Sequence, residues 1–369
     1  PKKICNSKEY LLLTNTLKQR FEEADFSAHS FPELSFNAWN NNLSSSSDDE
    51  TKEIKEITTT IENKEIEPIK LIKPYSIDNI LEDGSFLTKQ KLEEILSSFR
   101  EKKNLILQGP PGTGKTWLAK RLGKALIGED VQEPQLRSVQ FHPNLSYEDF
   151  VQGWRPGSDG KLNLQEGVFI KMVNKALENP SLPHVLVIEE INRGNPAQIF
   201  GELLTLIESS KRSPKDAVEL CYSEEGKDLP VYIPANLFII GTMNVADRSL
   251  ALVDMAFRRR FAFIDLDPTF GTRWHEFVVN KLHMDSFVAT LIEQRMNQLN
   301  NQISNDSRLG SDFQVGHSYV TPTESLKGKS TKQWFAKTIE STIKPLLKEY
   351  WFESHDVANK AVDKLLEDL

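Results

Sequence analysis

The residues whose types and spacing carry the clearest chemistry lie in "NLILQGPPGTGKTWLAK". Gly109-x4-Gly114-Lys115-Thr116 has the spacing of a phosphate-binding loop, and it follows an apolar strand and opens a helix, the context that such a loop requires. Its glycines let successive backbone N–H groups turn inward on a phosphate chain. The helix N-terminus adds partial positive charge. Lys115 supplies a point charge for β- and γ-phosphates, and Thr116 supplies a hydroxyl for Mg²⁺. The whole cradle reads as Gly109, Pro110, Pro111, Gly112, Thr113, Gly114, Lys115, Thr116 and Trp117. A Gly/Pro turn that happens to carry Lys-Thr is the bland alternative, and the fixed positions in the right context speak against it.

Phosphoryl transfer also needs an acid for the metal and a group that orients the attacking water. "HVLVIEEINR" offers both, because its apolar run ends in Glu189-Glu190. Glu190 is read as the base that activates water, and Glu189 as the Mg²⁺ carboxylate beside Thr116. Asn192 and Arg193 follow in the loop, with Asn192 the better second polar group near the water. Two solvated charges at a strand end are the alternative.

A third stretch, "FIIGTMNVADRSLALVDMAFRRRF", poses a choice. Asn244-x-x-Asp247 has the spacing by which Ras-type GTPases read guanine. If the strand ending at Asn244 lies beside the acidic strand, however, Asn244 falls near the γ-phosphate and senses or orients the water. The segment "SLALVDMAF" then reads as a helix with Leu250, Val253 and Phe257 on one face, ending in Arg258, Arg259 and Arg260. Cations at an exposed helix end suit an arginine finger offered to a neighbouring subunit. They also suit a helix C-terminus electrostatically, and a DNA-phosphate patch stays open.

The elements that must position these groups alternate. Helix 88–103, capped by Thr88 with Leu92, Ile95, Leu96 and Phe99 on one face, precedes the strand "NLILQ". There follow a helix ending at Gly128, the strand "RSVQFH", the helix "GVFIKMVNKALEN", the acidic strand, a single helix "PAQIFGELLTLIESS" with Pro196 in its first turn, and the strands "LFIIGTM" and "FAFIDL". Apolar strands alternating with helices predict an α/β fold, a parallel sheet covered on both faces. After Pro268 the pattern is helical only. The expected organisation is therefore 1–72, an N-terminal helix and polar linker; 73–267, the nucleotide-binding α/β domain; and 268–369, a small all-α lid. Tyr75 and Ile77, just before the loop, are candidate base contacts. His317 in "VGHSYV" could touch the nucleotide as part of the lid, but a lone His beside Tyr319 reads more readily as a packed or capping residue, and Trp334, Phe335, Tyr350 and Trp351 read as lid core rather than as a base-stacking platform.

Composition sets the outer bounds. The chain has 369 residues, 38% hydrophobic and 27% charged, enough for two or three cores. A net charge of −8 argues against nonspecific coating of nucleic acid, though not against a local basic groove. Cys5 and Cys221 have no metal spacing and no pairing framework, which points to a reducing compartment. No apolar run approaches the ~18 residues of a membrane span. "PKKICNSKEY" has no secretory apolar region and no Met, so a cytoplasmic piece of a longer chain is expected.

Loop, acidic strand, Asn, arginines and trailing helices, in this order, resemble an AAA+ P-loop NTPase. From about Tyr75 to the C-terminus, "QGPPGTGKT", "QFHPNLSYEDFVQGWRP", "EEINRGN", "FGELLTLIE", "MNVADRSLALVD", "RRRFAF" and "VGHSYV" are similar to McrB, the motor subunit family of McrBC modification-dependent restriction endonucleases. The resemblance implies GTP hydrolysis in preference to ATP, a hexameric homo-oligomeric ring and a separate McrC-like nuclease subunit. It also implies translocation along double-stranded DNA. By position it assigns Asn244 the sensor role and Arg259, with Arg260 second, the finger role, with Asp247, Arg248 and Asp254 at the interface. Glu189 departs from the aspartate usual there. Residues 1–72 have no counterpart in the resemblance and read as the remnant of a DNA-recognition domain. An ATP-driven remodelling factor of the MoxR and dynein branch, and a slow nucleotide-gated scaffold, are the competing classes.

Overall fold

The computed structural model describes residues 74–128, 135–158, 160–223, 230–247, 255–367 and 369, all within the compact unit Ile72–Leu369. The expected N-terminal helix and linker, Arg248, Asp254 and the first turns of the helix before the arginines lie outside these residues.

Two helices lead in. α1 (Ile77–Glu82) starts at Ser76, and α2 (Lys89–Lys102) starts at Thr88, whose hydroxyl accepts from the Lys91 N–H at 3.2 Å. β1 (Asn104–Gly109) runs into the phosphate loop, and α3 (Lys115–Ile127) leaves it and stops at Gly128 in the left-handed conformation. Next come β2 (Leu136–Gln140), α4 (Tyr147–Phe150), β3 (Gln152–Pro156), β4 (Leu162–Glu166), α5 (Val168–Glu178) and β5 (His184–Glu189). α6 (Pro196–Phe200), α7 (Leu203–Leu206), β6 (Leu237–Asn244), α8 (Met255–Arg258) and β7 (Ala262–Asp265) complete the α/β part.

Five strands form a parallel sheet in the order β2-β5-β6-β1-β7. Their residues alternate between two cores. Leu105, Leu107, Val185, Val187 and Ile240 pack on one face with α2 and α3, while Ile106, Leu186, Ile188 and Ile239 pack on the other with α5 and α6. That is why the strands read as continuous apolar runs rather than as alternating ones. The register aligns Gly109 with Asn244 and Gln140 with Glu189, so the functional strand ends emerge at one edge, where open α/β sheets bind ligands.

Two local expectations need correction. The helix expected after Pro196 is broken at Gly201, whose φ is +53° and whose missing Cβ would lie 2.8 Å from Tyr147. A helical period does not reveal that close approach. The segment between β2 and α5, read without strands, instead holds the antiparallel β3–β4 hairpin.

Beyond β7 come α9 (Thr272–Glu276), α10 (Ser286–Ser304), α11 (Thr331–Thr338), α12 (Lys344–Tyr350) and α13 (His355–Leu366). They enclose a core of their own, with Trp274, Phe335 and Trp351 fully buried. Asn300 is buried in α10, and its side chain both accepts from the Val315 N–H at 2.7 Å and donates to the Val315 carbonyl at 3.0 Å. One amide thereby fixes the backbone that leads into Gly316–Tyr319.

Candidate active site

Gly112 and Gly114 hold φ of +80° and +76°, the left-handed region that turns the loop's N–H groups inward, and Gly114 is the N-cap of α3. Lys115 is 7% exposed. Its ammonium folds back on the loop and donates to the carbonyls of Gly109 at 3.0 Å and Pro110 at 2.6 Å. Burial lowers its pKa to about 8, against the opposing pull of the Asp247 and Glu190 carboxylates. The Thr113 hydroxyl donates to the Pro110 carbonyl at 3.0 Å and tightens the turn. Thr116 and Trp117 open α3.

The acidic pair diverges. Glu189 Oε1 pairs with Lys120 Nζ at 2.8 Å, one helical turn beyond Thr116, so this carboxylate faces the Thr116 side of α3. Glu190 sits at φ +54°, an unusual conformation for a residue with a Cβ, and its N–H donates to Thr242 Oγ1 at 3.1 Å. That turn carries its carboxylate off the strand line, where Oε2 accepts from Gln140 at 3.3 Å and pairs with Arg193 at 2.7 Å. Arg193 also reaches to 3.8 Å from Asp247. Asn192 is 6% exposed and donates to the Asn244 carbonyl at 3.1 Å, and its own Oδ1 is buried with no hydrogen-bond partner among the described residues. The Val245 N–H donates to the Gly109 carbonyl at 3.3 Å, which ties the end of β6 to the loop. Lys115, Glu190, Asn192 and Asn244 therefore converge on one edge. Gln140 was not singled out in the sequence, although its place at the end of the strand beside Glu189 was a signal.

The arginines separate. Arg258 and Arg259 are exposed, and Arg258 lies 5.2 Å over the Phe263 ring. Among the described residues Arg259 has no ion-pair partner. Arg260 is 5% exposed, donates to the Ala256 carbonyl and lies 3.7 Å from Glu208. Phe257 and Phe261 stack in the core at 4.4 Å, and the turn between them points Arg260 inward. Arg260, the second-choice finger, is thus held by groups of its own chain, while Arg259 is left at the surface.

Residues 104–261 match the family described as AAA domain, dynein-related subfamily, and residues 291–359 match the McrB alpha-helical lid domain. The chain is 42% identical over 305 residues to the Type IV methyl-directed restriction enzyme EcoKMcrB subunit of Escherichia coli strain K12, covering 82% of this chain and 65% of that protein. This is a McrB-type AAA+ protein. It is also 30% identical over 195 residues to the Type II restriction enzyme BsuMI component YdiS of Bacillus subtilis strain 168, covering 44% of this chain and 56% of that one. The McrB-type chain thus spans less than two thirds of either relative's length. A solved putative ATPase from Cytophaga hutchinsonii is similar at 16% identity and a TM-score of 0.38, covering 62% of this chain and 65% of that one.

The McrB-type lid closes a cleft of 460 Å³ over the loop. Asp83, Phe86, Trp117, Asp267, Thr269, His317 and Thr323 are among its walls. Tyr75 and Ile77 are not; they pack beneath it, and the Tyr75 hydroxyl donates to Asp83 at 2.7 Å. Ser85–Leu87, just after α1 ends, line the cleft. His317 does more than pack. Its ring meets Phe86 edge to face at 4.9 Å and its Nδ1 accepts from the Thr269 N–H at 3.1 Å. Burial, and then the Lys115 charge, lower its pKa to about 4, so the ring is neutral at physiological pH. Among the described residues no helix is long and apolar enough to cross a membrane, and no cluster of three acidic, His or Cys side chains forms a metal cage.

Proposed function

We propose that this chain is the GTP-hydrolysing ring motor of a McrBC-like, modification-dependent DNA restriction complex, working in the cytoplasm. The observation that carries the reading is the convergence of Lys115, Glu190, Asn192 and Asn244 at the ends of adjacent strands beside a phosphate loop onto which a McrB-type lid is bonded. Lys115 exchanges its loop carbonyls for phosphate oxygens. Glu190 takes the proton of the attacking water, which Asn244 holds in line, with Asn192 bonded to the Asn244 carbonyl beside it. Arg259 of a neighbouring subunit meets the charge that develops on the phosphoryl group. The donor set fits Mg²⁺, because Thr116 and Glu189 share one side of α3 and the missing ligands are of the kind that phosphates and waters supply. Bound there, the ion would screen phosphate charge.

On the base side this reading takes guanine over adenine. Guanine presents N–H donors on the edge where adenine presents an acceptor, and two carboxylates, Asp83 and Asp267, stand in the cleft wall. Asp83 is already engaged by Arg121 at 2.9 Å, which leaves Asp267 as the freer acceptor. In this reading the ring is a hexamer, a McrC-like nuclease subunit completes the complex, and double-stranded DNA is the track.

Steady-state hydrolysis of GTP against ATP, with and without a McrC-type partner, tests the proposal, with Glu190→Gln as the control for contaminants. A GTP preference abolished by Glu190→Gln is expected. Turnover of ATP alone would support the remodelling reading, which shares the dynein-related match over 104–261. Assembly without turnover would support the nucleotide-gated scaffold.

A further inference from the structure

The segment Val315–Thr321 is fixed to a degree that lid packing alone does not require. Asn300 holds Val315 from both sides. The N–H groups of Gly316 and Ser318 donate to the carbonyls of Pro111 and Gly112, each at 3.0 Å, so the lid is bonded backbone to backbone onto the phosphate loop. A Cβ at Gly316 would lie 2.0 Å from the Gly112 carbonyl carbon, so no larger residue allows this approach. Thr321 Oγ1 accepts from Trp274 at 2.9 Å and donates to the His317 carbonyl at 2.7 Å. His317 sits between these anchors with its ring turned into the cleft.

The tautomer follows from one bond. Nδ1 accepts the Thr269 N–H, so in the neutral ring the proton is on Nε2. That Nε2–H has no acceptor among the described residues, and it opens onto the cleft. Nε2 lies 3.7 Å from where a Cβ on Gly114 would be, at the N-cap of α3. An N–H donor and the N-terminus of α3 thus face one space. Groups of that kind repel or ignore one another unless an anion lies between them.

We propose that His317 is a nucleotide-binding residue whose Nε2–H donates to a phosphate oxygen on the α/β side of the bound nucleotide. The inference rests on reading the cleft as the nucleotide site. Because it grips phosphates common to di- and triphosphates, His317 sets affinity for both and leaves the hydrolytic step to Glu190.

The test uses the full chain with Mg²⁺ and GDP or ADP, by calorimetry, and three variants. Asn at 317 keeps an acceptor for the Thr269 N–H and loses the cleft donor. Gln places an amide donor near the Nε2 position. Ala loses both. Expected is an H317N variant that melts like the parent and binds the diphosphate at least about tenfold more weakly, the size of a lost hydrogen bond to a charged group. H317Q recovers most of that loss, and KM for hydrolysis moves more than kcat. In the unaltered chain, the ¹⁵N–¹H signal of His317 Nε2 shifts on adding the diphosphate. Parent-like binding by H317N, or an unmoved signal, overturns the role of His317 and leaves the cleft standing. A parent chain that binds neither diphosphate overturns both.

Discussion

The phosphate loop and the arginine turn are both cationic and face opposite situations. Lys115 is buried and satisfied within its own chain, bonded to two loop carbonyls that a phosphate would displace. Arg259, at the end of α8, is exposed and without an ion-pair partner among the described residues. One region has its partners within the fold, and the other has no ion-pair partner among the described residues. The difference teaches that one chain settles its cations in two ways, one by bonds within its own loop and one left open at the surface, where the proposed ring would supply a neighbour. Between them stands Arg260, next to Arg259 in sequence but turned into the core.

The largest effect expected is on Arg259. Substitution by Ala should cut hydrolysis by about 10³–10⁵, the range for a trans-acting arginine, while diphosphate binding by the isolated chain stays near parental. Mixing Arg259→Ala with Glu190→Gln should restore part of the activity. Each assembly then contains interfaces where an intact Glu190 faces an intact Arg259. Activity rates of the mixture against each variant alone decide this, and a mixture as dead as its parts would break the comparison at its centre.

Glu190→Gln comes next, at about 10²–10⁴ in kcat for a lost general base. Nucleotide binding should survive, because Lys115 and the loop are untouched. Loss of binding along with turnover would show that Glu190 holds the site together through Gln140 and Arg193 instead.

Arg260→Ala should show the opposite signature. Glu208 and the Ala256 carbonyl lose their cation, and a cavity forms beside the Phe257–Phe261 stack. A destabilisation of about 1–3 kcal/mol follows, discounted because Glu208 is partly solvated. Arg259→Ala should leave the unfolding midpoint where it was. Denaturant melts of the two variants side by side measure this, and equal melts would erase the distinction between the neighbouring arginines.

How much of this was legible in the sequence depends on where the deciding contact lies. Gly109–Trp117 is contiguous, so the loop and its chemistry are visible in one window. Glu189 and Glu190 end an apolar run, and Asn244 follows once strand order is granted. The three arginines are chemically identical, and only the turn that buries Phe261 tells Arg260 from Arg259. Gly201 is a long-range fact, set by Tyr147. The β3–β4 hairpin has little apolar content because it is mostly exposed, although Gly157 and Gly160 in its turn were a usable signal. His317 is legible as a lid histidine that either packs or meets the nucleotide, and nothing in the sequence decides between the two, since backbone hydrogen bonds bring it to the loop and they carry no side-chain code.

The smallest effect sharpens the comparison from the loop's side. A lysine folded onto carbonyls, its pKa lowered to about 8, is partly neutral in the empty chain just above that pH. The unfolded chain holds the same proton to about 10.4. Below pH 8 both states are charged, and the burial penalty is constant. From 8 upward the folded state sheds its proton first, so this residue's contribution to stability rises with pH and levels off only beyond the unfolded value. By pH 8.5 the gain is under about 1 kcal/mol, and it is seen as a difference between the parent chain and Lys115→Met. Phosphate oxygens reverse the effect, because an anion against the ammonium raises its pKa. Nucleotide binding at pH 8.5 should therefore take up a fraction of a proton, and at pH 7 this residue should take up no more than about a tenth of one. Calorimetry in two buffers of different ionisation enthalpy reads that fraction directly. A finished cation must change its partner on binding and so records the exchange in protons. Arg259, always charged and still without a partner among the described residues, leaves no such trace when its neighbour arrives.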